Sequence, residues 1–440
     1  MFGAVPKCQD PLAIETHAVL SACNQEAESE VTKTLRKVVQ AFSSDGSCKT
    51  LPPQEDYTPF DESVYICLHI FTNTRGAKNA HVYVWIGDSA SESAGEAAQV
   101  AARKSAKENG AGNVRTVRQG QEPAAFFEAL GGILITRRGS REGASKQYML
   151  CGRKHLGHIA FDEVQFSVGQ LCPGFVYLIS YPVTLQQTKL YLWKGQACSA
   201  EELSAARLAA MDLSETGEII EVDGGVEFAS FLKIFGQGTT KWSVPKPSEI
   251  WQQKAVAPDK FKARLFRVQQ TEVKTGLLSS LWSRRPSWNS VSPARSPARS
   301  PADEIKIEVK ELSPFTQSQL EAEGIYILDA HSELFILIGP LFSSHQPEKA
   351  RDFLFAQTLF FAEDYAVQAA SLEDRPMVPK CSVLAAGVPR DVRMLFRFWQ
   401  EERGLWGTAG LMAGSASAAL RGEGVKLLPL EEVVGEARGW

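Results

Sequence analysis

The sequence has few of the features that mark secreted, membrane-spanning or nucleic-acid-binding proteins. Its eight cysteines are scattered, without a CxxC pair or a regular framework, which favours reduced thiols over a disulfide scaffold. The N-terminus has no basic segment followed by an apolar one, and no run of about 18 apolar residues occurs, so we expect no secretion signal and no membrane span. A net charge of −4 gives no general reason to expect nucleic acid as a partner.

Motifs of the common catalytic and nucleotide-binding sites are missing as well. The chain has no GxxxxGK(S/T) loop, no HExxH helix and no GxSxG elbow, and its seven histidines do not cluster with a plausible nucleophile. The sequence therefore predicts a binding protein and no enzyme, with no catalytic residues.

An internal repeat is the most informative feature that is present. Segments that begin at His81, Leu190 and Leu334 each combine a short apolar strand ending at a glycine, a polar turn and a long amphipathic helix. Each repeat spans about 100 residues, which is the size of a small autonomous domain.

The repeats predict the fold class and the division of the chain. Each contains helices of unequal length with strands between them, and these helices bury their apolar faces only if they lie on opposite sides of one sheet. We therefore predict an α+β fold of three tandem domains, each a mixed central sheet between one long and one short helix. The predicted divisions are an N-terminal extension (1–56), three repeats (57–136, 147–238 and 262–405), a disordered insertion in the third (279–303) and a C-terminal tail (406–440).

The N-terminal extension contains one stretch with helical periodicity. Its apolar residues recur at three- and four-residue intervals, which predicts an amphipathic helix. These residues are Val31, Leu35, Val38, Val39 and Phe42.

Motifs inside the repeats resemble those of the gelsolin/villin family of actin regulators. The family pattern is a strand that ends in W-x-G, a long helix after an acidic turn, and a closing Q-G-x-E-P-x-x-F. The matching residues are Trp85, Gly87, Gln119, Gly120, Glu122, Pro123 and Phe126 in the first repeat, and Trp193, Gly195, Glu201 and Glu202 in the second. The order of the units is most similar to the fourth, fifth and sixth repeats of a six-repeat protein, over about residues 57–405.

The resemblance also implies calcium sites, but this chain lacks most of their ligands. Family repeats hold calcium with an aspartate at the start of a strand and a glutamate on the long helix. The strand position is Ser63, Gly174 and Gly324 in the three repeats, and the helix position is Ser93, Glu202 and Gln346. Glu202 alone is a weak calcium candidate, because a hard cation needs several oxygens, and the alternative is a solvated glutamate in the first turn of a helix. We expect no tightly bound cofactor and weak or no calcium dependence.

Two surfaces are candidates for binding partners. In the family the long helix of an actin-binding repeat enters a cleft on actin. The first repeat's helix has a small-residue face that is expected to pack on its sheet (Ala94, Ala97, Ala98, Ala101 and Ser105) and an outer face that is expected to contact actin (Gln99, Val100, Arg103, Lys104 and Lys107). A basic cluster around the first linker is expected to bind phosphoinositide membranes or filament sides. It comprises Arg137, Arg138, Arg141, Lys146, Arg153 and Lys154. For both surfaces the alternative is a solvated charged face.

The expected function is that of a cytoplasmic protein of the actin cytoskeleton that regulates filaments by side binding, capping or severing. The alternative is an actin-independent interaction scaffold, because fold alone does not fix function. Four serines in the predicted insertion, which also contains arginines, are candidates for regulatory phosphorylation. They are Ser287, Ser292, Ser296 and Ser300.

Overall fold

A computed structural model describes most of the chain. It covers residues 12, 14–23, 29–43, 46–184, 186–236, 244–272, 305–342, 348–400 and 426–438. The predicted insertion with Ser287, Ser292, Ser296 and Ser300, the residue Gln346 and much of the predicted tail lie outside the described residues. Within these ranges, no helix has the length and apolarity needed to cross a membrane.

The first sheet has five strands in the order β2-β1-β3-β4-β5. They are β1 (Val31–Phe42), β2 (Cys48–Thr50), β3 (Val64–Asn73), β4 (Lys78–Ile86) and β5 (Val114–Arg118). Strand β4 pairs in parallel with β5, and the other neighbours are antiparallel, so the sheet is mixed.

Two helices cover opposite faces of this sheet. The long helix is α2 (Glu92–Asn109) and the short one is α3 (Ala124–Leu130). Successive side chains of a strand point to opposite faces, so alternate residues of β3 and β4 meet different helices. The face under α2 comprises Val64, Ile66, Leu68, Val82, Val84 and Ile86, and the face under α3 comprises Tyr65, Cys67, Tyr83 and Trp85. The predicted helix–sheet–helix arrangement is confirmed.

The inner face of α2 is rotated relative to the prediction. Ser91 caps the helix by accepting a hydrogen bond from the backbone N–H of Ala94, and the buried positions are Gly95, Ala98, Ala102 and Ala106. Of the predicted small-residue face only Ala98 is buried, whereas Ala97 is exposed. Helical geometry explains the buried set, because these four residues recur at intervals of three and four.

Residues 31–42 form a strand, so the helix predicted there is wrong. Strand β1 pairs along its length with β3, with Val39 opposite Cys67 and Phe42 opposite Val64. The β-branched residues of β1 favour an extended conformation. Pairing with β3 stabilises the strand, although the local spacing of apolar residues also fits a helix. Part of the predicted extension is thus a strand of the first sheet.

The second sheet has six strands in the order β11-β10-β9-β7-β8-β6. They are β6 (Ile133–Thr136), β7 (Tyr148–His155), β8 (His158–Val164), β9 (Val176–Pro182), β10 (Thr188–Lys194) and β11 (Ile219–Asp223). Its helices are α4 (Ala200–Leu213) and α5 (Ala229–Leu232). Strand β6 lies within the predicted first repeat but pairs in parallel with β8, so the chain joins the second sheet before the first linker.

The third sheet also has six strands, and linker helix α6 (Glu249–Val256) precedes it. The strand order is β13-β12-β14-β15-β16-β17. The strands are β12 (Arg264–Glu272), β13 (Ile305–Leu312), β14 (Ile325–Asp329), β15 (Glu333–Ile338), β16 (Lys380–Ala386) and β17 (Lys426–Pro429). Its helices are α7 (Glu348–Leu372), α8 (Arg390–Met394) and α9 (Leu430–Arg438).

Contacts join the repeats beyond their linkers. An N-terminal helix, α1 (Thr16–Cys23), packs on α7 of the third repeat although the strand that follows it belongs to the first sheet. One apolar cluster runs from the second repeat through Ile250 and Trp251 of α6 to Phe396 after α8. The α+β class with three mixed sheets is confirmed, and the second and third repeats share one of their cores.

Candidate functional site

The outer face of α2 brings together the residues predicted to contact actin. Val100 is 64% exposed, and Arg103, Lys104 and Lys107 lie beside it with exposed side chains. Gln99 is half-buried at the edge of this face. None of the three cations forms an ion pair with another described residue. The face therefore offers one apolar side chain among three positive charges that have no ion-pair partner in the part of the chain that the structure describes.

The corresponding long helix of the third repeat is covered by other parts of the chain. Leu20 of α1 is fully buried in the cluster that contains Phe355 and Phe361 of α7. From the other end of the chain, Val433 and Val434 of α9 join the same cluster. Helix α7 is therefore an internal element in this arrangement.

The long helix of the second repeat exposes an apolar pair that was not predicted from the sequence. Leu208 is 61% exposed and Met211 is 67% exposed on the outer face of α4. The signal was available, because the two residues lie three positions apart while the alanines Ala205, Ala206, Ala209 and Ala210 form the buried face.

Glu202, the weak calcium candidate, is buried and carries several hydrogen bonds. It is 1% exposed, in the first turn of α4. Its Oε2 accepts the backbone N–H of Ser199 at 2.8 Å, and its Oε1 accepts the backbone N–H of Lys154 at 2.9 Å. Because Ser199 Oγ accepts the N–H of Glu202 in return, the pair forms a capping box at the start of the helix.

A lysine from the second linker occupies the space in front of this carboxylate. The Lys254 Nζ lies 3.1 Å from Oε1 and 3.2 Å from Oε2 of Glu202, and it donates to the carbonyl oxygen of Gly174 at 2.5 Å. These oxygens belong to the two positions at which the family resemblance placed calcium ligands. Lys254 could not be predicted, because a single lysine in a polar linker carries no distinguishing signal in the sequence.

Most of the predicted basic cluster is committed to contacts inside the protein. Arg137 is buried, pairs with Glu163 at 2.6 Å and stacks on the ring of Tyr148. Arg153 is buried and donates to the carbonyl oxygen of Met394 at 2.8 Å. The remaining pairs are Arg141 with Glu55, Lys146 with Glu215, and Lys154 with Glu201. Only Arg138, Lys146 and Lys154 have exposed side chains, so the six residues do not form one open patch.

A buried arginine connects all three repeats. Arg397, after α8, donates to both carboxylate oxygens of Asp162 at 2.9 Å and to Glu122 Oε2 at 3.1 Å. Burial alone would lower the pKa of Arg397. The carboxylates of Asp162 and Glu122 outweigh this effect and raise that pKa above its ordinary value. Glu122 is recognisable in the sequence by its motif, whereas Arg397 and Asp162 carry no such signal.

Two family models match the chain. One is described as a domain of unknown function (DUF7904) and matches residues 38–138, and the other is described as the gelsolin repeat and matches residues 157–232. The predicted resemblance to the gelsolin/villin family is confirmed by the second match. The correspondence to fourth, fifth and sixth repeats stays a prediction.

Several relatives and solved structures are similar to parts of this chain. The human protein flightless-1 homolog is 24% identical over 301 residues, which are 64% of this chain and 21% of that protein. Protovillin of Dictyostelium discoideum is 23% identical over 298 residues, 64% of this chain and 26% of that protein. The chain thus covers about a quarter or less of the length of these relatives. A crystal structure titled as the Thorarchaeota 2DGel3/rabbit actin complex shares 19% identity over 46% of this chain and 100% of that chain, with a TM-score of 0.19.

Proposed function

Because the second repeat matches the gelsolin repeat, we propose that this chain binds actin and regulates filaments by side binding, capping or severing. The observation that carries the proposal is the open face of α2, with Val100 exposed among Arg103, Lys104 and Lys107. An amphipathic helix of this kind binds by laying its apolar side chains into a groove, and neighbouring cations add attraction to an acidic surface. Such a role places the protein in the cytoplasm at the actin cytoskeleton.

Co-sedimentation with filamentous actin, with calcium and with chelator, tests the proposal. We expect the wild-type chain to pellet with filaments in both conditions. A variant with Val100→Asp, Arg103→Glu and Lys104→Glu is expected to lose at least about tenfold in affinity, because it removes the apolar anchor and reverses two charges at the contact.

The control reverses charges elsewhere on the same repeat. The exposed cations of β1 and β2 are Lys33, Arg36 and Lys49. Their replacement by glutamate changes the net charge by more than the α2 variant does, but it leaves α2 itself unaltered. We expect this variant to pellet like the wild type. Equal loss in both variants would show that only overall charge matters, and no pelleting of the wild type would contradict actin binding.

The second candidate function is an interaction scaffold that does not use actin. The exposed Leu208 and Met211 of α4 favour it, because neighbouring apolar side chains on a surface are typical of protein contacts. A wild-type chain that fails to pellet with filaments would support this candidate. In either case we propose a binding protein rather than an enzyme, since the buried charge of Glu202 is paired with Lys254 and that of Arg397 with Glu122 and Asp162.

Phosphoinositide binding is proposed in a narrower form than the sequence suggested. Of the six predicted residues, Arg138, Lys146 and Lys154 are exposed, and two of these three pair with glutamates. We expect weak binding to vesicles that contain phosphatidylinositol bisphosphate, and a loss of that binding when the three residues are replaced by glutamine. Unchanged vesicle binding by this variant would exclude the site.

A further inference from the structure

We propose that Lys254 is a built-in cation that takes the place of a calcium ion in the second repeat. Its ammonium group lies among the oxygens of Gly174 and Glu202, at the position where the family resemblance implies a metal. The charge that satisfies the buried carboxylate is therefore supplied by the chain itself. It fastens linker helix α6 to the start of α4 whether or not calcium is present.

The contacts of Lys254 account for the whole ammonium group. Its Nζ has oxygen neighbours at 2.5, 3.1 and 3.2 Å, which match the three N–H donors of a lysine. The rings of Phe175 and Phe261 lie 4.8 and 5.6 Å from the same atom and complete its surroundings. Lys254 is 3% exposed, so this is a buried, fully paired charge.

A calcium ion does not fit among these residues while Lys254 is in place. Calcium takes six to eight oxygens at about 2.3–2.6 Å, and here the carbonyl and the carboxylate surround a nitrogen that already fills the space. Two backbone N–H groups, those of Ser199 and Lys154, also point at the carboxylate oxygens that a metal would need. The disagreement with the family pattern is therefore specific: a side chain has replaced the ion.

The residues around the site explain how the lysine reaches it. Gly174 has no side chain, and a Cβ there would lie 2.2 Å from the ring of Trp251, so only glycine lets α6 approach this closely. Trp251 and Lys254 are three positions apart and lie on the same side of α6. The indole nitrogen of Trp251 also donates to Asp391 of α8 at 2.6 Å. Through α6, the second repeat is thus joined to the third.

The wild-type protein provides the first test, by hydrogen–deuterium exchange with calcium and with chelator. We expect the same protection in both conditions for residues 249–256 of α6 and 199–206 of α4. A calcium-dependent change confined to these two segments would overturn the proposal, because it would show that an ion competes with Lys254.

Replacement of the lysine provides the second test. Lys254→Ala leaves Glu202 buried without a counter-charge, and we expect the melting temperature to fall by roughly 5–10 °C and protection of α6 to be lost. The vacated space should then admit the ion, so about 10 mM calcium is expected to restore part of the loss. The same calcium should have no effect on the double variant Lys254→Ala with Glu202→Gln.

A matched control separates this site from ordinary linker contacts. Lys260 lies in the same linker, and its ammonium group pairs with Asp374 at the surface. Lys260→Ala is expected to leave the melting temperature and the exchange of α6 unchanged. Failure of calcium to stabilise Lys254→Ala, or equal stabilisation of the double variant, would refute the view that the lysine stands in for an ion.

Discussion

At the scale of single residues, one tryptophan–glutamate hydrogen bond explains the motifs that define the repeats. Trp85 Nε1 donates to Glu122 at 3.0 Å, and Trp193 Nε1 donates to Glu227 at 2.9 Å. In both repeats the same glutamate oxygen accepts the N–H of a glycine two residues earlier, and that glycine has a positive φ. These bonds link the W-x-G strand to the G-x-E turn, and they give the tryptophan, the turn glycine and the glutamate a structural role in each repeat.

A buried histidine of the first repeat makes stability depend on pH. His69 is fully buried on β3 and shares one hydrogen bond with Thr34. Its pKa is lowered to about 4, chiefly by burial and secondly by the nearby His81 and Lys37. A histidine with a lowered folded pKa binds its proton more readily in the unfolded chain. Stability is therefore complete above pH 6.5 and is lost as the pH falls from 6.5 towards about 4.

Urea denaturation at pH 7 and pH 5 measures this effect. We expect the wild type to lose about 2 kcal/mol of its free energy of unfolding through His69 between these values. His69→Gln is expected to be less stable at pH 7 but to show a smaller drop on acidification. His17→Gln, at an exposed position of α1, serves as the control and should keep the wild-type pH dependence. An unchanged drop in His69→Gln would assign the effect to other groups.

At the scale of elements, the sequence predicted those whose signals are local. Helices α2 and α4 begin directly after the capping residues Ser91 and Ser199, and α2 ends before Gly110, which has the left-handed conformation. Strand β1 was missed because its apolar spacing also fits a helix, and only its pairing with β3 resolves the ambiguity. Lys254 and Arg397 were missed because their partners lie 52 and 235 residues away along the chain, a separation that one sequence does not reveal.

The packing of α1 on the third repeat predicts a long-range effect of an N-terminal substitution. Leu20 is fully buried against α7, so Leu20→Asp places a charge in an apolar cluster. We expect a loss of about 3 kcal/mol of stability and faster hydrogen exchange in α7, with little change in β1. Ala18→Asp, at an exposed position of the same helix, is the control. If α7 keeps its protection in Leu20→Asp, α1 does not contribute to the core of the third repeat.

At the scale of the whole molecule, polar contacts fix the repeats against one another. Arg153 of the second repeat donates to the carbonyl of Met394 in the third, and Arg390 of the third donates to the carbonyl of Gly169 in the second. Arg397 adds the first repeat by contacting Glu122 as well as Asp162. Buried charges of this kind do not add much net stability, but each one demands its partner. We therefore expect these pairs to hold the repeats in one specific arrangement.

Removal of Arg397 tests this arrangement. Arg397→Met removes the ion-pair partner of two buried carboxylates, and we expect a loss of about 3–5 kcal/mol of stability together with a larger radius of gyration in small-angle X-ray scattering. Arg438→Met breaks a half-exposed pair with Glu363 and should change neither quantity by more than a small amount.

The triple variant Arg397→Met, Glu122→Gln and Asp162→Asn separates charge from packing. It removes the whole buried ion network, so we expect it to regain much of the stability lost in Arg397→Met. Its radius of gyration is expected to stay larger than that of the wild type, because the hydrogen bonds that orient the three repeats are gone. A triple variant as compact as the wild type would show that the shared apolar cluster alone sets the arrangement, and that the arginine serves only to neutralise the two carboxylates.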